Sequence, residues 1–230
     1  MDKKMDKNTN VGVLFDLDGT LADTSLDIIE SINKVLKSYD LPVCDHDLIK
    51  TYISDGLFAM LQQATMQSAS NGLELHKMHF MALKNYNDLN GKHSVLFDGI
   101  ADMLSWLDES NINYGIVTNK QAKYAEPLVE KLGLADKVKT VVSGDTCSKP
   151  KPSAEPMFLA AKALGVDPAR IFFLGDAITD VQAAHNSGMS AVAVSWGFHK
   201  KTEDVNQWNA DFVANSPKDL IDIISTNKVV

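Results

Sequence analysis

Two aspartates separated by one residue directly follow a short apolar segment. Asp16 and Asp18 belong to the sequence FDLDGT, which continues the apolar residues 11–14. Because a strand alternates its side chains between two faces, both carboxylates are expected to point to the same side. Two carboxylates placed in this way can share a divalent cation, or one can attack an electrophile while the other moves a proton. An isolated pair could also be a polar loop that caps a core strand, so the choice depends on residues elsewhere in the chain.

Three further motifs supply the remaining groups that phosphate-ester chemistry needs. Residues 116–120, IVTNK, place the hydroxyl of Thr118 and backbone N–H groups after an apolar run. The loop KPKP, residues 149–152, supplies ammonium groups just before a helical pattern. The sequence FLGDAITD brings Asp176 and Asp180 after another apolar run. A nucleophilic carboxylate, a hydroxyl, a cation and metal-binding carboxylates together predict a phosphoryl-transfer site rather than a capping loop.

The composition narrows the classes of ligand. The chain has 230 residues, a hydrophobic content of 45% that suffices for a packed core, and a formal charge of −8. This charge and the scattering of the 22 basic residues disfavour binding to nucleic acid. Arg170 is the only arginine, so an anionic ligand must be met mostly by lysines, backbone N–H groups, hydroxyls or a metal.

The same composition favours a cytoplasmic protein. Cys44 and Cys147 are too few for a disulfide framework, which indicates reduced thiols. The start of the chain, MDKKMDKNTN, has no apolar core and resembles neither a signal peptide nor a membrane anchor. No stretch is long and apolar enough to span a bilayer, so a membrane partner is not expected.

The order of apolar and amphipathic segments predicts an α/β fold with an insertion. Short apolar runs at 11–15, 114–117, 138–142, 171–174 and 191–195 alternate with helical patterns at about 99–110, 121–133, 154–165 and 178–187. This alternation predicts a parallel sheet covered on both faces, with ligands at the carboxyl ends of its strands. Only helical patterns occur between residues 22 and 92, at 25–39, 45–53, 57–66 and 73–89. We therefore expect a catalytic core of residues 1–20 and 93–230 and a helical cap of residues 21–92.

The four motifs, in this order, resemble those of the haloacid dehalogenase-like (HAD) hydrolase superfamily. The matching sequences are DLDGT, TN, KP and GDxxxD, and the resemblance extends over nearly the whole chain after residue 10. Within the superfamily, FDLDGTLADT, VTNK and VSWGF are most similar to phosphoglycolate phosphatases and related small-molecule phosphatases. The resemblance implies a Rossmann-like parallel sheet in strand order 5-4-1-2-3, sandwiched by helices, with an inserted all-helical cap subdomain.

The resemblance also implies a role for each motif residue. Asp16 would be the nucleophile that forms an aspartyl-phosphate, and Asp18 would protonate the leaving oxygen and then activate water. Mg²⁺ would lie between Asp16, the backbone carbonyl of Asp18 and Asp176, with Asp180 a ligand directly or through water. An anionic nucleophile that approaches an anionic phosphate needs such positive charge to offset repulsion.

The phosphoryl oxygens would be held by groups from three motifs. These are Thr118, the backbone N–H of Asn119, Gly19 and one lysine. The loop offers both Lys149 and Lys151, and the family pattern K-P-x-P-D-P fits better from Lys151, so we favour Lys151 and expect Lys149 to be solvated.

The expected activity is a Mg²⁺-dependent phosphatase that acts on a small phosphorylated metabolite, with 2-phosphoglycolate as one candidate. A sugar-phosphate mutase of the β-phosphoglucomutase type and a non-catalytic regulatory relative are the alternatives, and the protein is expected to be a monomer or homodimer. His76 and His79 are expected on a helix surface. The cap residues near 54–56 include no arginine that could bind a second anionic group.

Overall fold

The computed structural model describes residues 11–66, 72–200 and 202–227. The ends of the expected core, residues 1–10 and 228–230, lie outside the described residues. Six parallel strands form one sheet in the order β5-β4-β1-β6-β7-β8. The strands are β1 (Gly12–Phe15), β4 (Asn113–Val117), β5 (Val141–Val142), β6 (Ile171–Gly175), β7 (Ser190–Val194) and β8 (Phe212–Ala214).

The predicted class, a parallel α/β sheet flanked by helices, is confirmed, with one difference in strand order. Numbered along the chain within this sheet, the order is 3-2-1-4-5-6, so the expected five strands are joined by a sixth, β8, at the edge beside β7. β8 is only three residues long and pairs with residues 192–194. A segment this short is too brief for its periodicity to be recognised in the sequence.

Helices cover both faces of the sheet because the strand side chains alternate. Val13 and Phe15 pack toward one face, while Leu14 between them packs toward the other. The helices on the first face are α5 (Ile100–Glu109), α6 (Ala122–Lys131) and α9 (Pro217–Asn227), and those on the second are α7 (Glu155–Leu164) and α8 (Ile178–Ser187). Burial on both faces explains why these strands read as continuous apolar runs.

The segment between β1 and α5 is mainly helical, and its apolar side chains form a further hydrophobic cluster together with Tyr124 and Phe198 of the sheet domain. Its helices are α1 (Ser25–Ser38), α2 (His46–Ile49), a 3₁₀ helix (Lys50–Asp55), α3 (Leu57–Thr65) and α4 (Gly72–Leu89). The two connections to the sheet domain pair as a short antiparallel ladder, β2 (Ala22–Asp23) with β3 (Val95–Leu96). We propose that residues 21–92 act as a cap over the sheet, and we call them the cap below.

A buried carboxylate holds the returning connection in place. Asp27 on α1 accepts hydrogen bonds from the backbone N–H groups of His93 and Ser94, at 2.9 and 3.1 Å, and from the Ser94 hydroxyl at 2.6 Å. Asn90 binds the carbonyl of Tyr124 on α6 at 2.8 Å. These contacts fix the orientation in which the cap meets the sheet domain.

In the part of the chain that the structure describes, no helix is long and apolar enough to cross a membrane.

Candidate active site

The predicted catalytic and metal-binding side chains follow the carboxyl ends of three adjacent strands. Asp16 follows β1, Thr118 follows β4 and Asp176 follows β6. Because β1 lies between the other two, these three residues meet at one edge of the sheet. The backbone N–H of Asp16 donates to the carbonyl of Leu174 at 2.8 Å, which continues the pairing of β1 with β6 past the end of β1.

Three carboxylates form a compact cluster at this edge. One oxygen each of Asp16, Asp176 and Asp180 lie within 4.8 Å of one another, and Asp176 and Asp180 are almost fully buried. The four-residue spacing in GDAITD brings the latter two together, because Asp180 lies in the first turn of α8. The cluster therefore unites three of the four predicted metal-site residues, and the side chain of Asp18 lies outside it.

Glycines leave the space that these carboxylates occupy. A Cβ atom at Gly19 or at Gly197 would come within 2.1 Å of the Asp176 side chain, and one at Gly175 within 2.3 Å of Asp180. Gly19 also has a positive φ of 85°, a conformation that a side chain disfavours. Gly19 was predicted to bind substrate; in the structure its backbone N–H donates to the Ala22 carbonyl at 3.0 Å, and its missing side chain leaves room for the carboxylate of Asp176.

Hydrogen bonds fix the two buried carboxylates. Thr20 donates to Oδ1 of Asp176 at 3.2 Å, and the backbone N–H of Phe198 donates to its Oδ2 at 2.8 Å. The N–H of Ala177 donates to Oδ2 of Asp180 at 3.1 Å. Both aspartates are therefore held in one orientation before any ligand binds.

Of the two candidate lysines, the structure places Lys151 in the cluster. Its Nζ lies 2.8 Å from Oδ1 of Asp16, 2.8 Å from Oδ1 of Asp180 and 2.8 Å from the Val117 carbonyl. Lys149 is exposed, and its backbone N–H binds Glu155.

The side chain of Asn119 holds the loop that carries Lys151. It accepts from the backbone N–H of Lys151 at 2.9 Å and donates to the Lys151 carbonyl at 3.1 Å. Asn119 was singled out in the sequence for its backbone N–H, and this use of its amide was not foreseen.

The charge balance of the cluster is negative. Burial raises the pKa of Asp16 to about 6, an effect that Lys151 partly opposes and Asp180 adds to. Burial and the neighbouring Asp16 and Asp180 carboxylates likewise raise the pKa of Asp176 well above its ordinary range. Three carboxylates thus share one ammonium group.

These residues fit a magnesium ion. Carboxylate oxygens are the ligands that Mg²⁺ prefers, and a divalent cation would supply the missing positive charge. The convergence of three such oxygens, in a space that glycines keep clear, is the observation that supports the fit.

Asp18 is held by residues to which the sequence gave no role. Lys120 donates to both oxygens of Asp18, at 2.8 and 3.0 Å, and the Thr24 hydroxyl donates to Oδ1 at 2.6 Å. The Lys120 ammonium also lies 5.1 Å from the ring centre of Tyr86 on α4, so a cap residue covers this ion pair. Lys120 is visible in the motif VTNK, and it was missed because sequence alone does not show which carboxylate it reaches.

A cavity of about 300 Å³ lies between these residues and the cap. The sheet domain contributes Asp16, Asp18, Thr118 and Lys151 to its wall, and the cap contributes mainly apolar side chains. His79 of the cap also lines the cavity, whereas a helix surface was expected for it. All the predicted catalytic residues therefore border one cavity of a size suited to a small molecule.

Residues 13–194 match the family model of the haloacid dehalogenase-like hydrolases. The chain belongs to this family, which confirms the resemblance seen in its motifs.

Several named relatives of the chain are phosphatases. The chain is 36% identical over 215 residues to an N-acetylmuramic acid 6-phosphate phosphatase of Pseudomonas putida, covering 93% of this chain and 96% of the relative. It is 34% identical to a phosphoglycolate phosphatase of Xanthomonas campestris pv. campestris, covering 90% and 93% of the two chains. A crystal structure of a predicted phosphoglycolate phosphatase from Haemophilus somnus superposes with a TM-score of 0.84 at 25% identity, covering 95% of this chain and 99% of the other. The chain is thus an enzyme of this family with phosphatases among its relatives.

Proposed function

We propose that this protein is a Mg²⁺-dependent phosphatase that hydrolyses a small phosphomonoester through an aspartyl-phosphate on Asp16. The observation that carries the proposal is the position of Asp16, which borders the cavity beside Asp18 and is contacted by Lys151 at 2.8 Å. A nucleophile, a proton carrier and a cation around one small cavity are the groups that transfer of a phosphoryl group requires.

In the first half of the reaction, a carboxylate oxygen of Asp16 forms a bond to phosphorus while the bond from phosphorus to the alcohol oxygen breaks. Asp18 donates a proton to that departing oxygen, so a neutral alcohol leaves. The ammonium of Lys151, the hydroxyl of Thr118 and the N–H of Asn119 offset the negative charge on the phosphoryl oxygens.

In the second half, Asp18 accepts a proton from water, whose oxygen attacks phosphorus and releases Asp16 and inorganic phosphate. Lys120 and Thr24 orient the Asp18 carboxylate for both transfers. Mg²⁺ held by Asp16, Asp176, the Asp18 carbonyl and Asp180, directly or through water, would neutralise part of the charge that gathers in the site.

The test is release of inorganic phosphate from p-nitrophenyl phosphate and from a panel of phosphorylated metabolites, with Mg²⁺ and with excess chelator. The panel includes 2-phosphoglycolate, N-acetylmuramic acid 6-phosphate and a hexose 1-phosphate, because products other than inorganic phosphate would indicate a mutase. Asp16→Asn is the inactive variant, and Asp136→Asn, at an exposed position outside the cavity wall, is its matched control. The proposal is supported if the parent and Asp136→Asn release phosphate in a Mg²⁺-dependent manner and Asp16→Asn does not. It is contradicted if the parent releases phosphate from none of the compounds.

We further propose a cytoplasmic location and small phosphorylated metabolites as partners.

A further inference from the structure

The cavity has two unlike halves, and the difference bears on the organic part of the substrate. One half carries the catalytic carboxylates and lysines of the sheet domain. The other half is formed largely by apolar and aromatic side chains: Ile53, Leu57, Met60, Leu83, Tyr86 and Tyr124. A phosphoryl group bound at Asp16 would direct its ester group into this second half.

Cations in the cavity wall are already paired with carboxylates. Among the described residues, the lysines that line the cavity are Lys120 and Lys151. Lys120 is bound to both oxygens of Asp18, and Lys151 to Asp16 and Asp180. Neither ammonium group is available to a second anionic group on the substrate without breaking a buried ion pair.

His79 and Arg170 do not provide that charge either. Burial, together with the neighbouring His76, lowers the pKa of His79, which favours its neutral imidazole. Arg170 precedes β6, so it lies at the opposite edge of the sheet from Asp176, which follows β6. A carboxylate on the substrate would therefore lose its hydration in the apolar half without gaining an unpaired cation from the described cavity wall, which is unfavourable.

Uncharged groups fit the same surface well. Tyr86 and Tyr124 pack with ring centres 5.1 Å apart and offer aromatic surface to an alkyl chain or the C–H face of a sugar. Ser54, Gln121 and Thr179 at the wall can bind hydroxyl groups. Resting on the proposed phosphatase function, we infer that the preferred substrate is a phosphomonoester whose organic group is uncharged, with an apolar face and hydroxyl or amide groups.

The test uses two substrates that differ in charge alone. These are 2-phosphoglycolate and its amide, in which –CONH₂ replaces –COO⁻. We expect kcat/KM for the amide to exceed that for the acid by about tenfold or more, the effect of one buried charged or polar group left without a partner. Equal values, or a preference for the acid, would overturn the inference.

A second arm separates this inference from the phosphatase function. Hydrolysis of p-nitrophenyl phosphate establishes the function independently of the organic group. If the chain hydrolyses none of these compounds, the proposed function fails, and binding of the acid and the amide is then compared by calorimetry with Mg²⁺ present. Tighter binding of the amide would support the inference about the cavity, and equal or tighter binding of the acid would overturn it.

Placing a cation in the apolar half should reverse the preference. Leu83 on α4 lines the cavity, so Leu83→Lys should raise the ratio of kcat/KM for acid over amide by about tenfold or more. Phe80→Lys is the matched control on the same helix, because Phe80 is 71% exposed and lies outside the cavity wall, and it should leave the ratio unchanged. If Leu83→Lys does not fold, Leu57→Lys on α3 makes the same test. An unchanged ratio in a folded cavity variant would overturn the inference.

Discussion

Replacing Lys151 by alanine tests the arrangement of the site, because it removes an ammonium group that makes three contacts there. Its ammonium contacts Asp16, Asp180 and the Val117 carbonyl, each at 2.8 Å, and the residue is 4% exposed. Lys149, two residues away in the same loop, is exposed and provides the matched control. Both variants therefore remove a lysine side chain from the same loop, but only Lys151→Ala removes one that contacts the carboxylate cluster.

Two costs are expected from Lys151→Ala. Loss of one preorganised donor to a reacting group typically costs about 3–4 kcal/mol, so kcat should fall roughly 10²- to 10³-fold. Removing one partner of a buried ion pair also costs about 3–5 kcal/mol of folding stability, because the remaining carboxylates lose their compensating charge. Mg²⁺ supplies positive charge at the same carboxylates, so the stability loss should be smaller with Mg²⁺ than with chelator.

The assay is kcat and KM for p-nitrophenyl phosphate with saturating Mg²⁺, together with thermal melts in Mg²⁺ and in chelator. Lys149→Ala should match the parent in all of these. A Lys151→Ala variant that folds and retains kcat within threefold of the parent would refute the role given to this lysine. A large loss in Lys149→Ala instead would move the catalytic cation to that residue.

Four further outcomes follow from the geometry. Asp16→Asn should abolish phosphate release while the thermal melt shows an intact fold, since an amide is nearly isosteric but does not attack phosphorus; turnover near the parent rate would exclude Asp16 as nucleophile. Asp18→Asn should slow alkyl phosphates more than aryl phosphates, whose leaving groups need less protonation, and equal losses would remove Asp18 from that role. Lys120→Gln should lower kcat by about tenfold or more, because the Asp18 carboxylate loses the donor that binds both of its oxygens, and unchanged kcat would show that Thr24 alone positions it. In chelator, the pKa of Asp16 is raised to about 6 from an ordinary 3.8, so this residue contributes stability that is fully present below pH 3.8 and is lost as the pH rises through 6. Thermal melts should therefore show that Mg²⁺ stabilises the fold more at pH 7.5 than at pH 5. Equal stabilisation at the two pH values would contradict this charge balance.

The closeness of the four motifs in space was predictable because it follows from the order of the parallel strands in the sheet. Each motif follows an apolar run, and the carboxyl ends of parallel strands lie at one edge of a sheet. Asp16, Thr118 and Asp176 therefore had to approach one another once the strands paired as neighbours. The helical patterns were also predictable, since α8 (Ile178–Ser187) was expected at the same residues and α7 differs by one residue at each end.

The family pattern favoured Lys151 over Lys149, but the particular carboxylate that each ammonium group contacts was not predictable from local sequence. Lys149 and Lys151 differ by two positions in a proline-containing loop, and the backbone path of that loop decides which ammonium reaches the carboxylates. The path is held by the Asn119 side chain, a contact between residues 32 positions apart. Lys120 and Asp18 are 102 positions apart, and local sequence carries no signal for such a pair.

The loop that follows β7 connects the carboxylate cluster to the cap. The backbone N–H of Phe198 donates to Asp176 at 2.8 Å, and the residue, which is 4% exposed, belongs to the hydrophobic cluster that it shares with the cap. Two residues later, Lys200 forms an ion pair with Asp55 of the cap at 3.2 Å. Any movement of the cap that shifts Phe198 must therefore also disturb the hydrogen bond that orients Asp176. Because the cap supplies most of the apolar side chains of the cavity wall, these side chains are linked through Phe198 to Asp176, a carboxylate of the proposed metal site.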